Sequence, residues 1–310
     1  MRTPIALVLT SFLLATGMAS AGAPPPAPTP QSPEEAVQLG KNELRMTVPV
    51  SIGGSGPYNF IIDTGAERTV ISRELAGSLA LVGGRPVRVT ALAGISDVAT
   101  VVVPSLTVAK SIARPSMEAP MLDAYNLGAT GMLGIDALQQ HNVYIDFDHD
   151  VMTLRPSKKR WLPAFGAHEI VVRAKNVYGQ LIVTNARYHN IPVSVIIDTG
   201  SPVTIANSAL LSAMRRPPKS LGPISVISAT GDVLSADYAL IDRLDIGGAG
   251  LMNVAVAFAD AAPFARFGLS KTPAIMLGMN TLRLFRRVQI DFPNREVRFE
   301  LPTDPNAIGI

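Results

Sequence analysis

Asp63 and Asp198 stand in matching surroundings, Phe60-Ile61-Ile62-Asp63-Thr64-Gly65-Ala66 and Val195-Ile196-Ile197-Asp198-Thr199-Gly200-Ser201. In each copy an apolar, β-branched run suited to a buried strand ends in a carboxylate, a hydroxyl and a glycine. Each copy therefore delivers an acid at the end of a strand, on a turn. Two carboxyl groups brought within hydrogen-bonding distance cannot both ionise cheaply, so such a pair holds one proton between them. One member then serves as base toward a water and the other as acid toward a carbonyl oxygen, and the two titration steps belong to the pair. Gly65 and Gly200 give the sharp turn its freedom and leave a backbone amide free to approach the acids. Thr64 and Thr199 supply hydroxyls that can support the turns. The copies differ at one place: Ala66 has no polar atom, whereas the Ser201 hydroxyl can donate to the Asp198 carboxylate. A donor favours the charged form, so the expectation is a charged Asp198 and a protonated Asp63.

The elements that must carry these acids are themselves repeated. Alternating residues at 44–52 and 181–188 suit half-buried strands ahead of each aspartate-bearing strand. After each aspartate come a β-branched pair and a short amphipathic piece, Arg73 to Leu79 and Asn207 to Met214. A strand, a glycine turn and a strand follow, centred on Gly94 and on Gly231. Then Met132-Leu133-Gly134 and Met276-Leu277-Gly278 each lead into a short helical stretch, Ile135 to Gln139 and Met279 to Leu284. Each copy closes on a hairpin, Tyr144-Ile145-Asp146-Phe147 into Val151 to Leu154, and Gln289-Ile290-Asp291-Phe292 into Val297 to Glu300. The spacing between copies grows only from 135 residues at the aspartates to 145 at the closing hairpins. The pattern predicts an all-β chain of two pseudo-symmetric, β-barrel-like lobes with a few short helices. The lobes are expected at residues 44–155 and 180–302, with a linker at 156–179 and a tail at 303–310. Two copies are too few for a stacked solenoid.

The run Ile61-Ile62-Asp63-Thr64-Gly65-Ala66-Glu67-Arg68-Thr69-Val70 resembles the active-site segment of retroviral-type aspartic proteases, and Asp198-Thr199-Gly200-Ser201 resembles that of the pepsin-type enzymes. Met-Leu-Gly-Ile-Asp-Ala-Leu at 132–138 and Met-Leu-Gly-Met-Asn-Thr-Leu at 276–282 resemble the hydrophobic-hydrophobic-glycine element that closes the catalytic loop in both groups. The resemblance implies the acid protease fold in a bacterial, single-chain, two-lobed form. It implies an aspartic endopeptidase that hydrolyses peptide bonds with a water activated between Asp63 and Asp198. It further implies reciprocal hydrogen bonds from Thr64 and Thr199 to the opposite loop, with Gly65, Ala66, Gly200 and Ser201 completing the two loops. Ala93, Gly94 and Ile95, and Thr230, Gly231 and Asp232, fall where hairpin flaps cover substrate in this family. Pepsin-type enzymes carry a tyrosine near the tip of one flap; neither tip here has one, and which hairpin closes is left open. The implied partner is a peptide or unfolded protein taken as an extended, apolar-rich segment. No cofactor or metal is called for, and with both acids in one chain a monomer suffices. The alternative is a catalytically inactive peptide-binding or scaffold protein on the same fold.

Composition is consistent with this reading and excludes others. At 310 residues, with 47% hydrophobic and 16% charged residues, the chain can build a sizeable core and is not disordered as a whole. The formal net charge is +3, and basic residues are scattered apart from Lys158-Lys159-Arg160 and Arg283, Arg286 and Arg287. With no basic stripe interleaved by aromatics, nucleic acid is not an expected partner. There is no cysteine, hence no disulfide, and the histidines show no ligand spacing, so no zinc site is expected. Asp146-Phe147-Asp148-His149-Asp150 has Val151 where a calcium loop needs glycine and Ser157 where it needs glutamate, so it reads as a hairpin turn. No serine lies in a Gly-x-Ser-x-Gly turn. Met1-Arg2, the apolar run from Ile5 to about Met18 and Ala19-Ser20-Ala21 describe a cleavable signal peptide over residues 1–21, so a periplasmic or secreted location is expected. The proline-rich run at 24–33 predicts an extended spacer over residues 22–43. Residues 22–44 hold Lys41 as their single cation, so they lack the basic prosegment that would pair with an acidic site.

Overall fold

The computed structural model describes residues 35–38, 40–42, 45–108, 112–157 and 169–302. The expected signal peptide, the proline run at 24–33, the basic triplet at 158–160 and the tail at 303–310 lie outside the described residues. The described chain is mostly strand, with six short helices, and forms two curled sheets. This is the two-lobed all-β architecture that the repeat predicts.

In the N-terminal lobe, strands Arg45–Ile52 and Ser55–Ile62 form a hairpin, and the second delivers Asp63. Ser55–Ile62 runs parallel to Gly131–Leu133, which pairs antiparallel with Val70–Ser72. The C-terminal lobe repeats the arrangement: Ile191–Ile197 delivers Asp198, runs parallel to Ala274–Leu277, and that strand pairs antiparallel with Thr204–Ala206. The register is the same in both lobes, with Leu133 opposite Ile62 and Leu277 opposite Ile197. Gln180–Tyr188 pairs both with Ile191–Ile197 and with Val233–Ile246, which closes the C-terminal lobe into a ring of strands. The central strands Gly131–Leu133 and Thr204–Ala206 are buried at every residue, as strands covered on both faces must be. Arg45–Ile52 instead turns Met46, Val48, Val50 and Ile52 inward at every second residue.

Short helices follow each aspartate-bearing loop and are capped at equivalent places. The Leu75 amide donates to Ser72 Oγ at 3.1 Å to start Arg73–Ser78, and the Leu210 amide donates to Asn207 Oδ1 at 3.0 Å to start Ser208–Ala213. Ser and Asn are favoured caps because a short side-chain oxygen satisfies an amide that has no partner in the first helical turn.

The closing hairpins do not stay within their lobes. His141–Asp146 and Val151–Pro156 form one, Arg287–Asp291 and Glu296–Glu300 the other, and His141–Asp146 pairs antiparallel with Arg287–Asp291. The result is a continuous sheet beneath both lobes, edged by Glu35–Gln38 on one side and running on the other through Glu169–Val177 into Gln180–Tyr188 of the C-terminal lobe. The strands at these places correct the sequence reading. Glu35–Gln38 and Gly40–Asn42 are strands inside the expected spacer, and Glu169–Val177 is a strand inside the expected linker. A hairpin edge exposes a row of unpaired backbone groups, and these segments supply the missing partners. The acidic run 146–150 forms the hairpin turn: Asp146 Oδ1 accepts from the Asp148 and His149 amides at 3.1 and 3.2 Å. Val143, Ile145, Met152, Leu154, Val288, Ile290, Val297 and Phe299 of this floor are buried in a core shared with both lobes.

Candidate active site

Asp63 and Asp198 meet between the lobes, each held by the loop that follows its strand. The Asp63 amide donates to Leu133 O at 2.9 Å and the Asp198 amide to Leu277 O at 3.1 Å, so the parallel strand fixes where each acid emerges. Each carboxylate then folds back over its own loop. Asp63 Oδ1 accepts from the amides of Gly65 at 2.7 Å and Ala66 at 2.9 Å; Asp198 Oδ1 accepts from Gly200 at 3.0 Å and Ser201 at 3.1 Å. The two carboxyl groups face each other across the loops: the Asp198 carboxyl packs against Gly65 and the Asp63 carboxyl against Gly200, and the charge of Asp63 acts directly on Asp198.

The threonines tie one loop to the other. Thr64 Oγ1 donates to Ile197 O and Thr199 Oγ1 to Ile62 O, both at 2.8 Å. In return the Thr64 amide donates to Thr199 Oγ1 at 3.1 Å and the Thr199 amide to Thr64 Oγ1 at 3.2 Å. These are the reciprocal bonds that the resemblance implies, and they lock the strand ends so that both acids face one point.

The amides of Gly65 and Gly200 do reach the acids as expected, but the turn is not the reason these residues are glycine. Neither has a positive φ, so the turn itself does not demand glycine. Each faces the acid of the opposite lobe: a Cβ on Gly65 would lie 2.8 Å from Asp198 Cγ, and one on Gly200 would lie 2.2 Å from Asp63 Cγ. The missing side chains are the space in which the acids pair.

Sequence reasoning singled out the Met-Leu-Gly elements but not the polar residues that make them work. A Cβ on Gly134 would lie 2.4 Å from Arg68 C, and one on Gly278 would lie 2.5 Å from Val203 C, so each glycine lets the helix start press against the catalytic loop. Asp136 Oδ1 accepts from the Thr69 amide at 2.9 Å and its hydroxyl at 2.7 Å. Asn280 Oδ1 accepts from the Thr204 amide and hydroxyl, both at 2.8 Å. A short acceptor two residues after each Met-Leu-Gly glycine was the signal for this pair.

The Ser201 expectation is overturned. Its hydroxyl donates to Val203 O at 2.7 Å instead of to Asp198, because the turn brings that carbonyl nearer. Both acids therefore have the same local donors. What differs is burial: Asp198 is 5% exposed, whereas Asp63 is half-buried and opens to the cleft. Burial, and the Asp63 carboxylate facing it, push the Asp198 carboxyl well above the usual range despite the Gly200 and Ser201 amides. That direction favours the protonated form of Asp198.

Above the acids lies a cleft of about 500 Å3, within the range of ligand pockets. Hairpins from both lobes cover it. Val87–Ala91 and Gly94–Val98 form the first, and Leu92 at its turn packs against the C-terminal-lobe cluster of Ile182, Ile196, Ile205 and Phe264 while its carbonyl accepts from the Ala262 amide at 3.0 Å. Lys219–Ile227 and Val233–Ile246 form the second, and Ala229 at its turn packs against Ile61, Val70, Leu127 and Met132 of the N-terminal lobe. Each hairpin thus reaches across to the opposite lobe. Of the expected flap residues, Ile95 lines the cleft; Ala93 and Gly94, and Thr230, Gly231 and Asp232, build the turns. The lining falls on neighbours that the sequence did not single out, among them Val89, Thr90, Val226 and Ile227. At the rim, Arg266 donates to Glu67 of the catalytic loop at 3.0 Å and lies 4.0 Å over the Tyr178 ring.

A family model described as aspartyl protease matches residues 48–137 and 184–281, which include both Asp-Thr-Gly loops and both Met-Leu-Gly elements. No curated protein matches the chain.

Proposed function

Because the chain belongs to the aspartyl protease family, we propose that it is an aspartic endopeptidase in which a water held between Asp63 and Asp198 attacks the peptide carbonyl. The observation that carries the reading is the convergence of two carboxyls on one point, tied by the reciprocal Thr64 and Thr199 bonds, with burial and the facing Asp63 pushing Asp198 toward its protonated form. Asp63 takes a proton from the attacking water while Asp198 gives its proton to the carbonyl oxygen, forming a tetrahedral diol. Asp63 then passes its proton to the amide nitrogen, the carbon–nitrogen bond breaks to release the amine, and Asp198 recovers a proton from a diol hydroxyl as that carbon becomes the carboxyl of the product. No bond to the enzyme forms at any step.

The cleft supports an apolar-rich, extended substrate. Ile95 and Ile227 line it from the two hairpins and are 62% and 52% exposed, apolar surface that a bound peptide would cover. Backbone pairing beneath the hairpins would hold the chain extended. Export is part of the same proposal and rests on residues 1–21; mass determination of the mature N-terminus tests it.

The assay is cleavage of an unfolded, apolar-rich protein from acidic to neutral pH by the wild type, Asp63→Asn and Asp198→Asn. Cleavage by the wild type and its loss in both variants is expected. Equal behaviour of all three makes the protein an inactive peptide binder on this fold.

A further inference from the structure

Gln180 is a buried amide in the floor of the cleft that the acid–base step above does not use. It begins the strand Gln180–Tyr188, directly after the turn Tyr178-Gly179, where both residues have positive φ as a tight hairpin requires. The hairpin tip presses on the opposite lobe, since a Cβ on Gly179 would lie 3.0 Å from Ile135 Cγ2. From there Gln180 Nε2 donates to the carbonyl oxygen of Gly65. That carbonyl and the Ala66 N–H belong to one peptide group, and the Ala66 N–H donates to Asp63 Oδ1 at 2.9 Å. The side chain is 1% exposed, and its Oε1 has no partner among the described residues.

Two physical points follow. A donor on the carbonyl of a peptide group polarises that group and strengthens the bond its N–H donates, so Gln180 supports negative charge on Asp63 through one peptide plane. The unpaired Oε1 is a buried acceptor that disfavours folding and offsets what the bond to Gly65 O contributes to stability. The C-terminal loop has no matching support, since Gly200 O accepts no hydrogen bond among the described residues. The two acids have equivalent bonds within their own loops, and Gln180 reaches only one of them.

We propose that Gln180 is the positioning residue that breaks the symmetry of the pair, fixing the Gly65–Ala66 peptide so that Asp63 carries the charge and Asp198 the proton. This rests on the protease reading only for its kinetic consequences. The other ionisable groups lining the same cleft are Glu67, paired with Arg266, and Arg68 and Arg88.

Carbon-13 NMR of aspartate carboxyls in the full chain, assigned through Asp63→Asn and Asp198→Asn, follows the titration of the pair without substrate. In Gln180→Met the lower midpoint should rise by about half a pH unit, because the charged form has lost support. The acid limb of kcat/KM should move with it, kcat should fall roughly tenfold with KM little changed, and the thermal midpoint should change little, since the loss of the unpaired Oε1 offsets the loss of the donor to Gly65 O. Gln180→Glu donates only while protonated, so it should work at the acid end and fail as that carboxyl ionises. An unchanged lower midpoint in Gln180→Met overturns the proposal, as does a fall in thermal midpoint with the titration intact, which makes Gln180 a packing residue. A shifted midpoint in a protein that cleaves nothing supports the role of Gln180 and overturns the protease reading.

Discussion

An added Cβ at Gly200 would lie 2.2 Å from Asp63 Cγ, and one at Gly65 would lie 2.8 Å from Asp198 Cγ. Neither acid can step aside, because two loop amides grip each Oδ1. Gly200→Ala should therefore abolish cleavage and Gly65→Ala should reduce it less, an order that kcat measured on one substrate checks. Asp198 yields a second prediction, about pH. Its folded-state pKa is raised by burial and by Asp63, so the stability it contributes is present below the ordinary value of 3.8 and is lost as pH rises toward the raised value. Asp198→Asn keeps an Oδ1 acceptor for the Gly200 and Ser201 amides and gains a donor toward Asp63. Its thermal midpoint should fall less than that of the wild type between acid and neutral pH, while activity is lost. The acids, threonines and glycines were legible in the sequence because they repeat. The reason for the glycines was not, since it lies in the other lobe, and neither was the Ser201 bond, which depends on where the Val203 carbonyl ends up.

Among elements, the hairpins have the clearest functional consequence. Both were visible as strand, glycine turn and strand, but which one closes was left open because a sequence does not say what a tip touches. Each tip docks on the opposite lobe, through Leu92 on one hairpin and Ala229 on the other. Leu92→Asn would place an amide against Ile182, Ile196 and Phe264, so the first hairpin should release its dock. The expected result is a several-fold higher KM, about 1 kcal/mol of lost closure, with faster limited proteolysis at residues 91–94. An unchanged KM and cleavage pattern would remove the first hairpin from the substrate site. The short strands Glu35–Gln38 and Glu169–Val177 were illegible for a related reason: they complete the floor sheet, and their partners come from the closing hairpins.

At the scale of the whole molecule, that floor sheet makes the lobes one cooperative unit. The pairing of His141–Asp146 with Arg287–Asp291 crosses the repeat, and charged side chains follow it: Arg287 Nε donates to Asp146 Oδ2 at 2.8 Å. Burial opposes ionisation of Asp146, but its bonds with Arg287 and His149 outweigh this and hold the carboxyl below its ordinary value. The sign is opposite to that of Asp198. This contribution is present above about 3.8 and is lost as pH falls through the lowered folded value. Arg287→Met should thus lower the thermal midpoint at neutral pH and lower it much less in strong acid, as a single calorimetric transition. Two separate transitions would mean that the floor does not couple the lobes. The repeat made two lobes legible; that their last hairpins merge was not, because each hairpin is locally self-consistent.

The crossed glycines bear on how such a chain can change by descent. Each half of the repeat holds an empty place kept by the acid of the other half, so the halves are inherited as a lock and its counterpart. A descendant that loses Asp63 frees Gly200 to vary, not its own neighbour Gly65, and one that loses Asp198 frees Gly65. Decay of the site would therefore be written crosswise, in the half that still has its acid.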